Sequence, residues 1–304
     1  MKVFVTGVGG QLGHDVMNEL HTRGHECVGS DLAPAYNGEQ DGTPVCTLPY
    51  LQLDITDGAA VARVLSGIQP DAVIHCAAWT AVDAAQEPEN IPTVEAVNAG
   101  GTRHIAEACQ KQGCKLMYIS TDYVFNGRGE TPWQPDCTDF APLNVYGRTK
   151  LEGEQAVKQL VDRHFIVRIA WVFGKNGKNF VKTMLALGKK YDTLRVVNDQ
   201  VGTPTYTLHL ARLLADMIQT EAYGCYHATN EGGYISWYDF ACEIFRRAGY
   251  PTQVVPVTTA EYGLSKAARP FNSRLDKSKL TANGFAPLPP WQTALAEYLK
   301  EIGE

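Results

Sequence analysis

The chain lacks an excess of positive charge, a paired metal-type cysteine spacing, a long apolar run and a low-complexity stretch, and each absence removes a class of function. Lys and Arg number 27 against 33 Asp and Glu, a formal net charge of −6, and no basic run or basic amphipathic helix occurs. Non-specific nucleic-acid binding is therefore not expected, and an anionic ligand must be held by individually placed Arg or Lys. The eight cysteines, at positions 27, 46, 76, 109, 114, 137, 225 and 242, include no C-x-x-C and no Cys/His pair of metal-binding spacing. They read as reduced thiols of core and surface, with no metal and no nucleophile assigned. The apolar stretch at the amino terminus is only strand-sized and runs into glycines, so neither a signal peptide nor a membrane span is expected, and the expected location is cytoplasmic.

Glycine is abundant where it matters. Lys2–Thr6 is apolar and rich in β-branched residues; Gly7, Gly10 and Gly13 follow, and then Leu12, Val16, Met17 and Leu20 repeat at helical spacing. Strand, tight turn and helix start fall in the order that a pyrophosphate site requires: Gly7 and Gly10 let the backbone approach phosphate, and Gly13 lets the helix pack on the strand. The spacing G-x-x-G-x-x-G differs from the G-x-G-x-x-G of ordinary dinucleotide domains. A second strand, Glu26–Asp31, ends in a carboxylate placed to bind both ribose hydroxyls of an adenosine. No Lys or Arg occurs between Arg23 and Arg63 to neutralise a 2′-phosphate, so NADH is expected to be preferred over NADPH, with either usable.

Strands and helices alternate through the first half, which predicts a Rossmann-type doubly wound parallel sheet covered on both faces. Strands are expected at Tyr50–Asp54, Ala72–Cys76, Lys115–Ser120 and His164–Ala170, with a helix over Val94–Gln112 and a loop over Gly127–Leu143. Their carboxyl ends gather Gly7, Asp31, Asp54, Ala77 and Thr121 on one edge, where such sheets bind ligands. Asp54 and Ile55 are placed to meet the adenine, and Asp54 is equally suited to cap the next helix. His75 and His227 read as core histidines. At 304 residues the chain exceeds one compact domain. The expected division is a dinucleotide-binding domain over 1–175 and 198–222, with a smaller substrate lobe over 176–197 and 223–304.

Tyr146 and Lys150 lie four apart on a predicted helix and so share one face. An ammonium there can lower the phenol's pKa and poise it for proton transfer, and a hydroxyl from another segment, Thr121, can bond the same reacting oxygen. With a nucleotide carrier in the same chain, this reads as carbonyl chemistry with a nicotinamide cofactor.

Six segments in order carry a resemblance: Ala77–Asp83, Ser120–Phe125, Pro142–Gly147, Arg168–Phe173, Asn198–Thr205 and Arg269–Ser273. Through them nearly the whole chain resembles the extended short-chain dehydrogenases/reductases and, within these, the dTDP-4-dehydrorhamnose reductase family. The resemblance implies NAD(P)H-dependent reduction of the 4-keto group of a dTDP-6-deoxy-4-hexulose, with Thr121, Tyr146 and Lys150 catalytic. It further implies a cofactor site of Gly7, Gly10, Gln11, Leu12, Gly13, Asp31, Asp54, Ile55, Ala77, Ala78, Thr80, Asn98, Tyr146 and Lys150. The dTDP-sugar would meet Thr80, Val82, Asp122, Tyr123 and Trp171, and its diphosphate Arg269 and Asn272, since guanidinium binds phosphate oxygens bidentately. A 4,6-dehydratase of the superfamily would carry Glu directly after Asp122, where this chain has Tyr123. A 3,5-epimerising reductase would add a Cys/His pair that Thr121–Phe125 does not offer. A binding module of the methionine adenosyltransferase regulatory-subunit type stays open, as does another sugar-nucleotide epimerase or dehydratase. The family includes metal-assisted dimers; with no compact carboxylate cluster here no metal is assigned, and a homodimer remains open.

Overall fold

The computed structural model describes residues 1–304. Its organising element is a sheet of seven strands, all parallel, in which β1 (Lys2–Thr6), β2 (Glu26–Asp31), β3 (Tyr50–Gln52), β4 (Ala72–His75), β5 (Lys115–Thr121) and β6 (His164–Ile169) are joined by an edge strand Gly224–His227. The spatial order is 3-2-1-4-5-6 followed by that edge strand, so the winding reverses between β1 and β4. Alternate side chains of β1 feed opposite faces. Val3 and Val5 join one core with Met17, Leu210 and Leu214, whereas Phe4 joins another with Val73, Ile105 and Val157. Burial on both faces is why these strands read as continuous apolar runs. A third apolar cluster forms separately around Phe173, Phe240, Trp291 and Tyr298.

Several expectations shift. Strand β3 stops at Gln52 because Asp54 turns the chain, its Oδ1 accepting from the Thr56 amide at 2.9 Å and the Thr56 hydroxyl at 2.7 Å. The next helix, Gly58–Ile68, is capped not by Asp54 but by Asp57, whose Oδ1 accepts from Ala60 N. The expected helix over Val94–Gln112 is three consecutive segments: α-helical Ile91–Glu95, a π-helical turn Ala96–Gly101, and α-helical Thr102–Gln112. Beyond residue 222 the expected division fails at two places. Gly224–His227 pairs with β6, from Gly224↔Phe165 to His227↔Arg168, and belongs to the main sheet. Leu280, Phe285 and Leu288 then return to the core beneath it. A four-residue strand of mixed polarity beside a glycine carries too little period-two signal to be read from sequence. The same is true of Gln253–Val257, which contains Pro256 and pairs in parallel with Thr193–Val197. No helix is long and apolar enough to cross a membrane.

Candidate active site

A cleft of about 750 Å³ opens at the carboxyl ends of the strands, where the winding reverses. Of the residues expected from the sequence to form a site, all but Asn98, Arg269 and Asn272 reach its wall.

The first wall is the glycine turn. Gly7 has φ +73°, and a Cβ there would sit 2.6 Å from the Ala77 amide nitrogen after β4. A Cβ on Gly13 would fall onto the Gly7 carbonyl oxygen. Both positions require glycine, one for its left-handed backbone and close strand contact, the other for seating helix α1 (Gln11–Thr22) on the turn. The cap residue of that helix is Gly10, which offers no side-chain acceptor, so the first amides remain available to an anion. Asp31 closes the far end of the turn: its Oδ2 accepts from Gly9 N at 2.8 Å and its Oδ1 from Leu32 N at 2.7 Å.

Behind the cleft lies a buried polar but uncharged layer. His75 is buried between two hydroxyls, with Nδ1 2.7 Å from Thr6 Oγ1 and Nε2 3.2 Å from Thr102 Oγ1, and burial pushes its pKa down to about 3. It is the core histidine expected. Asn98 is buried away from the cleft; its Oδ1 accepts from Trp79 N at 2.8 Å and its Nδ2 donates to Trp79 O and Thr149 Oγ1. It therefore shapes the loop after β4 rather than touching a ligand.

The second wall carries the acid/base set. Asn144 caps the helix Val145–Leu160, accepting from Gly147 N at 2.8 Å, and the helix presents Tyr146 and Lys150 to the cleft beside Thr121 at the end of β5. Thr121 Oγ1 donates to Asp122 Oδ1 at 3.0 Å and accepts from Tyr123 N at 3.2 Å. The electrostatics differ from the expected pairing. Burial pushes the Tyr146 phenol above its ordinary value, opposed by the Thr121 hydroxyl, while burial pushes Lys150 down to about 7, opposed chiefly by Glu154. Removal from water dominates both groups, neither of which owes its shift to the other, and the Lys150 Nζ rests on the face of the Tyr118 ring, 4.1 Å from its centroid. The phenol is thus held protonated. Asp122 is also buried, which raises its carboxyl to about 6, and its Oδ2 has no hydrogen-bond partner.

The remaining expected residues divide. Trp171, at φ +51°, stacks on Trp237 with centroids 3.6 Å apart and presents its other surroundings to the cleft. Arg269 stands one residue behind the wall: its Nη1 donates to the hydroxyl of Tyr123 at 3.2 Å, and its Nη2 pairs with Asp83 Oδ2 at 2.7 Å. Asn272 is buried and fully used within the loops, donating to Thr131 O at 2.9 Å and Arg128 O at 3.3 Å and accepting from Arg274. It holds the Gly127–Trp133 loop in place and is not free to bind a ligand.

Sequence reasoning missed Asn176, Lys178 and the Glu154–Arg168 pair. Asn176 Nδ2 donates to Gly9 O at 2.8 Å and Gly10 O at 3.1 Å, tying a distant loop to the glycine turn. Lys178 lines the cleft. Glu154, one helical turn beyond Lys150, bonds Arg168 twice, at 2.8 and 2.7 Å, and accepts from Ser120 Oγ at 2.6 Å. The i, i+4, i+8 stripe of Tyr146, Lys150 and Glu154 was a readable signal for the last of these.

A family model described as the RmlD substrate binding domain matches residues 1–303. The chain is 43% identical over 278 residues to a dTDP-4-dehydrorhamnose reductase of Streptomyces griseus, covering 89% of each. To the enzyme of that name from Escherichia coli strain K12 it is 40% identical over 262 residues, covering 82% of this chain and 85% of the relative. Among solved structures, a dTDP-4-dehydrorhamnose reductase from Bacillus anthracis in complex with NADP superposes with a TM-score of 0.88 at 39% identity, covering 99% of both chains.

Proposed function

The chain belongs to the RmlD substrate-binding-domain family, and from that premise we propose that it reduces the 4-keto group of dTDP-6-deoxy-L-lyxo-4-hexulose to dTDP-L-rhamnose with NAD(P)H. The observation that carries this reading is that Thr121, Tyr146 and Lys150 line the same cleft as the glycine turn and Asp31.

The chain fits a nicotinamide dinucleotide. The Gly7–Gly13 cradle has no room for a Cβ at its two critical positions, the amides opening helix α1 lack a side-chain cap, and Asp31 is oriented toward the same edge. When bound, the reduced coenzyme supplies the hydride. The protein's own groups handle the oxygen. Thr121 orients the ketone, and Tyr146, held protonated by burial, gives its proton to the carbonyl oxygen as negative charge develops there. Lys150, which burial pushes down to about 7, lines the same cleft one helical turn on, and a phenolate formed there favours its charged form over the neutral amine. Tyr123, in the position where an eliminating relative would carry Glu, is a phenol pushed up to about 12 and supplies no base at C5. The direct test is whether the purified protein consumes NADH, followed by absorbance, when offered the keto sugar nucleotide. No consumption with either reduced coenzyme sinks the reading and leaves the binding-module alternative.

Coenzyme choice follows from Asp31. A ribose 2′-phosphate brought against this carboxylate meets like charge and loses the hydroxyl's hydrogen bond. NADH is therefore expected to exceed NADPH in kcat/KM by about tenfold, roughly 1.4 kcal/mol. Asp31→Ala should narrow that ratio, chiefly by weakening NADH. Equal efficiencies in the parent, measured at fixed keto sugar, would show that Asp31 does not govern the ribose.

For the sugar nucleotide we assign Arg269 to the diphosphate. Its guanidinium is positioned by Asp83 and by Tyr123, itself on the cleft wall, so the arriving anion takes over part of that pairing. Charged hydrogen bonds of this kind are worth roughly 1.5–3 kcal/mol. Arg269→Ala should raise the sugar-nucleotide KM about ten- to hundredfold and leave coenzyme binding nearly unchanged. An unaltered KM would move the diphosphate elsewhere.

A further inference from the structure

The ionisable carboxylates and cations lining the cleft are Asp31, Asp54, Asp122, Lys150 and Lys178. A dinucleotide brings two further negative charges at its diphosphate, into a cleft that already holds more carboxylates than cations. Lys150 is fully committed, buried against Tyr118 beside the reacting carbonyl site. That leaves Lys178 as the cation available to the coenzyme.

Its loop places it at the correct end. Asn176 donates to the carbonyls of Gly9 and Gly10, and Asn179 Nδ2 donates to Gln11 Oε1 at 3.1 Å. A Cβ on Gly177 would lie 3.4 Å from Gln11 Cγ. The residues flanking Lys178 are therefore pinned, on both sides, to the glycine turn and the first residue of helix α1. The other lysines nearby are already occupied. Lys175 pairs with Asp41 at 2.8 Å, and Lys182 donates to the carbonyls of Lys175 and Gly177. Lys178 is exposed at the cleft and makes no ion pair.

We infer that Lys178 is the coenzyme's diphosphate clamp, closing over the anion from the side opposite the amides that open helix α1. This rests on the nicotinamide-coenzyme reading above and extends it to a residue on a different lobe of the cleft. A compact ammonium acts here as a point charge, so its contribution is set by proximity and by salt, and Arg can substitute for it.

The test is a binding series with NADH, ADP-ribose and adenosine, read by fluorescence quenching, on the parent and on Lys178→Ala, Lys178→Arg and Lys178→Glu. For the Ala variant the Kd of NADH and of ADP-ribose should rise roughly five- to twentyfold, with a weaker salt dependence than the parent's. The Glu variant should lose more, and the Arg variant should stay within about threefold of the parent. Adenosine, which has no phosphate, should move less than twofold throughout, and the keto-sugar KM at saturating NADH should hold. An Ala variant whose NADH Kd stays within twofold overturns the assignment while leaving the coenzyme reading intact. So does an equal loss for adenosine, or a shift confined to the keto-sugar KM. A parent that binds neither NADH nor ADP-ribose overturns both.

Discussion

Replacing Tyr146 with Phe is expected to lower turnover of the keto sugar by roughly 10²–10⁴-fold, the size of a general acid's contribution, while coenzyme and sugar nucleotide still bind. The substitution removes only the hydroxyl. The ring keeps its edge-on packing against Tyr123, with centroids 5.6 Å apart, so the wall of the cleft should not collapse. The loss should fall on kcat, because the proton is transferred only as the oxygen gains charge. Steady-state rates with NADH at saturating keto sugar decide the matter. A Phe variant within about threefold of the parent would mean that another group delivers the proton.

The second large effect concerns stability. Arg168 and Glu154 are both 0% exposed and joined by two hydrogen bonds, with Arg168 sandwiched near the Phe125 and Phe140 rings. Glu154→Ala leaves a buried guanidinium with one carboxylate fewer, which typically costs about 3–5 kcal/mol. With unfolding entropy near 2.1 cal/mol/K per residue, or roughly 0.6 kcal/mol/K for this chain, Tm should fall by roughly 5–8 °C. A double replacement, Glu154→Leu with Arg168→Met, removes both charges and should recover most of that loss. Thermal unfolding followed by circular dichroism compares the variants. A single variant within 1 °C of the parent would show that the buried charge finds another partner, such as the Pro135 carbonyl that Arg168 already contacts.

What was legible in the sequence was what periodicity and backbone geometry impose. The apolar run of β1, the glycines that no other residue can replace, and the i, i+4 placement of Tyr146 and Lys150 each leave a local mark. The contents of the second half were harder. Gly224–His227 reaches the main sheet only because β6 offers it an edge, a non-local fact. Asn98 and Asn272 look like ligand contacts because amides in polar segments often are, yet each is consumed by buried backbone groups that would otherwise go unpaired. Lys178 failed to stand out for the opposite reason: a lysine in a Gly/Asn-rich loop reads as solvated until the fold sets that loop across the glycine turn. The expected Lys150 effect on Tyr146 was a statement about spacing, whereas burial, which the sequence does not display, governs the phenol, with Thr121, Asp122 and Tyr123 rather than Lys150 as its other influences.

The π-helical turn at Ala96–Gly101 sets where this region can change length. Such a turn accommodates one more residue than an α-helix does over the same rise. Deleting one residue between Ala96 and Gly101 other than Asn98 would take out that extra residue and let the helix run regularly, with Ile91–Glu95 and Thr102–Gln112 still facing as they do. Deleting one from the α-helical stretch on either side instead rotates what lies beyond it by about 100°. The Glu95–Arg148 pair and the Asn98–Trp79 bond fix which way this helix faces, so a one-residue deletion should be tolerated within the wide turn and not beside it.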